Sequence, residues 1–130
     1  MIDIVIFLPE QTFPSTAIGP MDVFTHAGAL WNVCTGSEPS PAFRVNTVSA
    51  SGDAVQCEGP LQLRPTMAIK DVRKADVIFI PSTGISVDDV AKRNESMIPW
   101  LKKWYARGAA IACVCSGVGL VAETGLLDGR

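Results

Sequence analysis

The chain has 130 residues, of which 48% are hydrophobic and 18% charged, and its formal net charge is -2 at pH 7. This length supports one globular domain with a substantial core and is short for two. The charge balance and the lack of a Lys/Arg stripe disfavour a nucleic-acid-binding surface, and no apolar stretch approaches the roughly 18 residues of a membrane span.

Short apolar runs alternate with segments of helical periodicity. The first run, residues 2–8, is rich in β-branched residues and stops at Pro9, which is typical of a buried strand in a parallel sheet. After a loop, Gly19-Pro20 is predicted to begin a helix, with proline at its first position. This helix is expected to pack on the sheet through apolar side chains at helical spacing: Val23, Phe24, Ala27, Leu30 and Trp31.

The rest of the chain predicts a strand over residues 42–50, two short strands joined through Glu58-Gly59-Pro60, an apolar strand over 75–80 that stops at Pro81, a helix over 88–107 with a break before Pro99, a strand over 109–115 and a helix over 117–124. Strands alternating with helices imply βαβ units with right-handed crossovers. We therefore expect an α/β fold with an open, mostly parallel sheet and helices on both faces. In such sheets sites form beyond the carboxyl ends of strands, here after Leu8, Ile80 and Val114.

Cysteine usage indicates a reducing compartment. The amino terminus carries an acid at position 3 and no basic residue before its apolar run, so it does not match a secretory signal. We therefore expect a cytoplasmic chain with free thiols at Cys34, Cys57, Cys113 and Cys115.

Cys115 follows the last predicted strand and precedes Ser-Gly-Val-Gly. A strand that turns sharply into a helix presents the side chain of the turn residue near the free N–H groups of the helix, which favours a thiolate. Gly117 and Gly119 would allow the strand and helix to approach closely. The alternative is a small buried cysteine, which is common for this residue type, and the residues alone leave both interpretations open. Cys113 is expected to face the core.

Three other interpretations of this region are weaker, and no metal or cofactor is predicted. Cys113 and Cys115 would point to opposite faces of a strand, which disfavours a metal site. Residues 117–122 fit G-x-G-x-x-A, but the ribose-binding acid expected about 20 residues later would lie beyond Arg130. His26, the sole histidine, is predicted in mid-helix, so a structural or surface role is expected rather than that of a general base.

Three stretches carry a resemblance to a known family: "IGPMDVF" in the first predicted helix, "ADVIFIP" in the later strand and "VCSGVGLVAETGLLDGR" at the end. They resemble the ThiJ/PfpI branch of the class I glutamine amidotransferase-like superfamily. More narrowly, they resemble the amino-terminal domain of GlxA-type AraC-family transcriptional regulators. The resemblance runs over nearly the whole chain and implies a flavodoxin-like fold.

The resemblance also implies residue roles, with Cys115 as the turn, or elbow, residue. Enzymatic members pair this cysteine with an acid in the first loop, a histidine beyond the elbow helix and a glycine-rich turn that donates oxyanion N–H groups. Here Thr16 occupies the acid position, the turn reads Ser82-Thr83-Gly84, and the histidine would follow Arg130. The expected pocket is lined by Thr16, Ser82, Thr83, Gly84, Ser116 and Gly117.

These departures from the enzymatic pattern favour a binding or sensing domain, because general acid–base groups are missing. The resemblance implies the regulatory domain of an AraC-family transcriptional regulator, which binds a small-molecule effector or forms a homodimer. DNA would be contacted only through a helix-turn-helix domain outside residues 1–130, which are expected to form a single domain without the carboxyl-terminal part of the family fold. The alternative is a cysteine-dependent amidase, protease or deglycase.

Overall fold

The computed structural model describes residues 1–84 and 86–130. Its strands are β1 (Ile2–Phe7), β2 (Phe43–Ser49), β3 (Val55–Gln56), β4 (Gln62–Leu63), β5 (Met67–Ala68), β6 (Val77–Ile80) and β7 (Ala110–Cys113). Five of them form a parallel sheet in the order β5-β2-β1-β6-β7, while β3 and β4 pair as a separate antiparallel hairpin. The predicted open parallel sheet is confirmed, and β5 is an addition that was too short to leave a sequence pattern.

Helices cover both faces of the sheet, as predicted. They are α1 (Pro14–His26), α2 (Leu30–Cys34), α3 (Val87–Arg93), α4 (Met97–Ala106) and α5 (Gly117–Ala122). Leu101 of α4 and Leu120 of α5 belong to the core on one face, and Ala17 of α1 belongs to the core on the other. Because β1 is covered on both faces, residues 4–8 are all buried, which explains their continuous apolar run.

The first helix begins six residues earlier than predicted, at Pro14 instead of Pro20. Pro14, not Pro20, occupies its first turn, and Pro20 lies inside the helix. Both prolines fit a helix start locally, so the choice depends on tertiary contacts. The N–H of Phe13, which precedes the helix, donates to the carbonyl of Ser82 at 3.0 Å and fixes the start at Pro14.

Of the predicted apolar face of this helix, Phe24 packs against the core as expected, but Val23, Leu30 and Trp31 do not. Ala17 is buried and Met21 and Phe24 pack beside it at helical spacing, whereas Val23 and Trp31 are 69% and 73% exposed. The helix ends at His26 and a separate helix, α2, starts at Leu30, so the periodicity that joins Val23 to Trp31 crosses a break in the helix.

The second predicted helical segment breaks before Pro99, as expected. Helix α3 ends at Arg93 and α4 begins at Met97, which places Pro99 in the first turn of α4, where its missing N–H costs little. None of the helices in the described part of the chain has the length and hydropathy that a bilayer crossing requires.

Cys113 does not lie in the core, contrary to the prediction. It ends β7, the terminal strand of the sheet, and stands opposite Ile80 in the strand register. The residue is nevertheless exposed, although Ile80 beside it is fully buried.

A buried carboxylate, Asp3, joins the amino-terminal ends of the central strands. Arg44 Nη1 lies 3.1 Å from Asp3 Oδ1, and Lys74 Nζ lies 2.9 Å from Oδ2. The Asp3 N–H donates to Asp76 Oδ2 at 2.8 Å. The contact with Lys74, assisted by the charge of Arg44, lowers the pKa of Asp3 against the opposing effect of burial.

We expect Asp3→Asn to lower the free energy of unfolding at pH 7 by about 1 kcal/mol, since both cationic partners are themselves exposed. The pKa of Asp3 in the folded protein lies below the usual value for an aspartate. The Asp3 carboxylate therefore stabilises the fold fully at a pH above that usual value, and this stabilisation is lost as the pH falls through the folded-state pKa. Urea denaturation at several pH values should therefore show a difference that shrinks in acid. Asp71→Asn, at an exposed position, is the control and should change the free energy of unfolding at pH 7 by less than about 0.5 kcal/mol.

Candidate functional site

Three loops meet at the carboxyl edge of the sheet. The strand β1 lies between β2 and β6, so the chain leaves β1 towards one side and β6 towards the other. This divergence is the topological switch point at which open α/β sheets form their sites. Both Phe13 N–H and Thr12 Oγ1 donate to the Ser82 carbonyl at 3.0 Å and tie the first loop to the second.

Cys115 lies at the predicted strand-to-helix junction. It is exposed and falls between the end of β7 and the start of α5. Its φ of 51° lies in the left-handed region, which is sparsely populated by residues other than glycine. This conformation persists because packing on both sides of the turn imposes it, and such strain is typical of functional positions.

Hydrogen bonding favours the thiolate form of Cys115. The Ser82 hydroxyl is the largest cause that lowers the pKa of Cys115, followed by the backbone N–H of Ser116, while burial opposes them. Cys113 behaves in the opposite way, because burial of its sulfur atom raises its pKa despite the exposure of the residue. The two thiols are therefore chemically distinct.

Ser116 clamps the loop after β6 to the turn before α5. Its Oγ accepts from the Thr83 N–H at 3.0 Å and donates to the Thr83 carbonyl at 2.9 Å. The Ser82 Oγ lies 2.9 Å from the same Ser116 Oγ. Since Ser116 gives its one proton to Thr83, Ser82 is the donor between the two hydroxyls, and a thiolate at Cys115 competes with Ser116 for that proton.

Thr16, in the first turn of α1, similarly ties its helix to the loop after β6. Its Oγ1 donates to the Phe13 carbonyl at 2.7 Å and accepts from the Ser82 N–H at 3.0 Å. The N–H groups of Ser82 and Thr83, the expected oxyanion donors, therefore both have acceptors within the protein.

The close approach of α5 to β6 requires glycine at position 117. A Cβ there would lie 2.8 Å from the carbonyl oxygen of Ile80 and nearer still to that of Pro81. Both obstacles are backbone atoms, which cannot rotate away.

Gly84 has two neighbours that sequence reasoning missed. A Cβ on Gly84 would lie 3.2 Å from Gln11 Oε1 and 3.4 Å from Glu58 Oε2. Gln11 has a φ of 61°. The Gln11 N–H donates to the Gln56 carbonyl at 2.7 Å, and the Glu58 N–H donates to the Thr12 carbonyl at 2.9 Å, so the β3–β4 hairpin is docked on the first loop. The hairpin itself was predicted, but no local pattern indicates where it docks.

The structure brings the sequence-predicted site residues together. Four are buried, Ser82, Thr83, Gly84 and Gly117, and two are half-buried, Thr16 and Ser116. His26, by contrast, is exposed at the end of α1. Within residues 1–84 and 86–130, no group of three or more His, Cys, Asp or Glu side chains is placed to hold a metal ion.

Comparison with known proteins finds transcriptional regulators among the relatives. The HTH-type transcriptional regulator CdhR of Pseudomonas aeruginosa is 25% identical over 88 residues, which cover 68% of this chain and 25% of the regulator. An AraC family transcriptional regulator from Pseudomonas putida superposes with a TM-score of 0.74 at 19% identity, over 98% of this chain and 63% of that one. The chain thus spans a quarter of the first relative and under two thirds of the second.

The same fold occurs in Drosophila melanogaster DJ-1beta, which superposes with a TM-score of 0.76 at 19% identity, over 97% of this chain and 61% of that chain. At such identities the structural likeness establishes the fold. The family model of DJ-1/PfpI matches residues 3–130. The resemblance predicted from the sequence is therefore confirmed, and the chain belongs to the DJ-1/PfpI family.

Proposed function

We propose that this chain is the regulatory, non-catalytic domain of an AraC-family transcriptional regulator, in which it binds a small-molecule effector and forms a homodimer. Residues 1–130 would constitute one domain of DJ-1/PfpI type without the carboxyl-terminal part of that fold. DNA would be contacted by a helix-turn-helix domain elsewhere in a cytoplasmic protein. The regulators among the relatives support this assignment.

One observation carries the non-catalytic part of the proposal. Acyl transfer at a cysteine requires N–H donors that are free to bind the developing oxyanion. In this chain the Ser82 N–H donates to Thr16 Oγ1 and the Thr83 N–H donates to Ser116 Oγ. A substrate oxyanion would have to displace two hydroxyls that are held by further hydrogen bonds.

A second candidate function is a cysteine-dependent hydrolase of amides or related adducts. It is favoured by the strained backbone of Cys115 and by the lowered pKa of its thiol. These features supply a nucleophile. General acid–base assistance, typically worth about 10²–10⁴-fold in rate, is not available from the family's acid position, which Thr16 occupies.

We expect Cys115 to be alkylated several-fold faster than Cys113 at neutral pH. The reason is that the Ser82 and Ser116 hydrogen bonds lower the pKa of Cys115, whereas burial raises the pKa of Cys113. Mass spectrometry of iodoacetamide-treated protein across a pH series measures both rates. In Ser82→Ala the midpoint for Cys115 should move to higher pH, while the exposed control Ser86→Ala should leave it unchanged.

The decisive experiment compares the chain with Cys115→Ser in a panel of amidase, protease and deglycase assays. Sensing without catalysis predicts background turnover for both proteins, even where Cys115 is the fastest thiol to react. Turnover well above background that disappears in Cys115→Ser would establish the hydrolase instead.

A further inference from the structure

A cavity that Cys115 does not line lies at the carboxyl ends of β1 and β2. Its walls come from the loop after β1, the turn after β2 and the end of α3, and its volume is about 310 Å³. Ligand pockets usually begin at about 300 Å³, and three other cavities in the described part of the chain measure about 240, 160 and 160 Å³. At about 30 Å³ per water, the volume suits a molecule of a few to about ten non-hydrogen atoms.

The turn after β2 forms a fixed wall of this cavity. Ser49 Oγ donates to the Asp53 carbonyl at 2.9 Å and accepts from the Gly52 N–H at 3.0 Å, and the Asp53 N–H donates to Ser51 Oγ at 3.2 Å. On the opposite wall Asn94 is 3% exposed, and its Nδ2 donates to the Val90 carbonyl at 2.8 Å. A ligand would therefore meet polar walls that are already in place.

Charges of both signs line the cavity. Glu10 and Asp53 contribute carboxylates, and Arg93 contributes a guanidinium. Arg93 Nη1 lies 3.4 Å from Glu10 Oε2, and the two side chains are 54% and 49% exposed. A long, exposed ion pair of this kind contributes little stability, so a ligand that offers each partner a better counter-charge can open it at small cost.

We propose that this cavity is the effector site and that it binds a small zwitterion, with the ligand carboxylate on Arg93 and the ligand cation between Glu10 and Asp53. The proposal rests on the sensing function and names its ligand class. A planar guanidinium binds a carboxylate through two parallel hydrogen bonds. The two carboxylates outnumber the single cation, so a ligand that is purely anionic would leave an unfavourable charge balance.

The test is isothermal titration calorimetry of the whole chain with glycine, β-alanine and γ-aminobutyrate. We expect at least one of them to bind at a single site, and butyrate and n-butylamine, which each retain one charge, to bind at least about tenfold more weakly than γ-aminobutyrate or not at all. Arg93→Gln and Asp53→Asn should each weaken zwitterion binding by about tenfold or more. Lys92→Gln is the matched control, because Lys92 neighbours Arg93 but lines a different cavity, and it should leave binding unchanged.

Absence of binding by all three zwitterions at about 10 mM would overturn the proposal. So would affinities that are equal in Arg93→Gln and Lys92→Gln, or butyrate binding as tightly as γ-aminobutyrate. Circular dichroism of each variant establishes that it is folded. Cys115→Ser should bind like the natural chain, so a failure of the zwitterion site and a discovery of Cys115-dependent turnover are separate results.

Discussion

Gly117→Ala should destabilise the protein by about 3 kcal/mol and lower its melting temperature by about 10 °C. The added methyl group would collide with the carbonyl oxygens of Ile80 and Pro81 and approach the Pro81 carbonyl carbon to 3.1 Å. These atoms end a central strand, so relief requires α5 to move away from β6. That movement would also stretch the bonds between Ser116 and Thr83.

Gly19→Ala provides the matched control for this substitution. Gly19 lies inside α1, and outside its own helix and chain neighbours no heavy atom lies within 4 Å of the added Cβ. Alanine favours a helix more than glycine does, but its Cβ is crowded by the ring of Pro20, so the net change in stability should be below about 1 kcal/mol. Thermal denaturation should lower the melting temperature of Gly117→Ala far more than that of Gly19→Ala, and an unchanged value for Gly117→Ala would show that α5 is not held against β6 as described.

Ser116→Ala should lower the free energy of unfolding by about 2–4 kcal/mol, an unusually large effect for a hydroxyl deletion. Thr83 is 1% exposed, and the substitution removes the partner of both its N–H and its carbonyl. Buried polar groups without partners bear their full desolvation cost. Equilibrium urea denaturation gives this quantity directly.

The pH profile of Cys115 alkylation should distinguish the role of Ser82 from that of Ser116. The Ser116 hydroxyl is the smallest of the contributions to the pKa of Cys115, and the Ser82 hydroxyl is the largest. Ser116→Ala should therefore destabilise the fold while shifting the alkylation midpoint less than Ser82→Ala does. Ser96→Ala, at an exposed position whose side chain does not cap its helix, should change stability by less than about 0.5 kcal/mol. If Ser96→Ala lost as much stability as Ser116→Ala, the effect at position 116 could not be attributed to the bonds between Ser116 and Thr83.

The central strands were predictable because their composition reflects their position. Residues 4–8 and 77–80 lie in or directly after β1 and β6, which are inside the sheet, and they contribute to the cores on its two faces. Burial on both faces explains the continuous apolar runs in the sequence. The start of α1 was not predictable, since Pro14 and Pro20 are equally suited to a first turn. The contact that decides between them, from Phe13 to Ser82, joins residues far apart in the chain.

The sequence predicts which residues form the site, but it does not predict their hydrogen bonds and contacts. Cys115 and its serine neighbour follow from the strand-to-helix pattern and the family resemblance. The bond by which Thr16 occupies the Ser82 N–H joins residues 66 positions apart, and the contacts of Gln11 and Glu58 with Gly84 depend on how a hairpin docks. Such contacts are properties of the assembled sheet, and no local periodicity encodes them.

The bonds that join the three loops also determine when the site comes into existence as the chain folds. Thr12 and Ser82 are separated by 70 positions, and Thr83 and Ser116 by 33. Contacts of such long sequence separation require large loops to close first, and this closure entropy is offset only after the strands between them have paired. A partly folded chain with β1 and β2 alone would have neither the Ser82 bonds nor the Ser116 clamp, and its Cys115 would be an ordinary thiol. The lowered pKa of Cys115 is thus a property of the assembled sheet, and it reports on whether the three loops have come together.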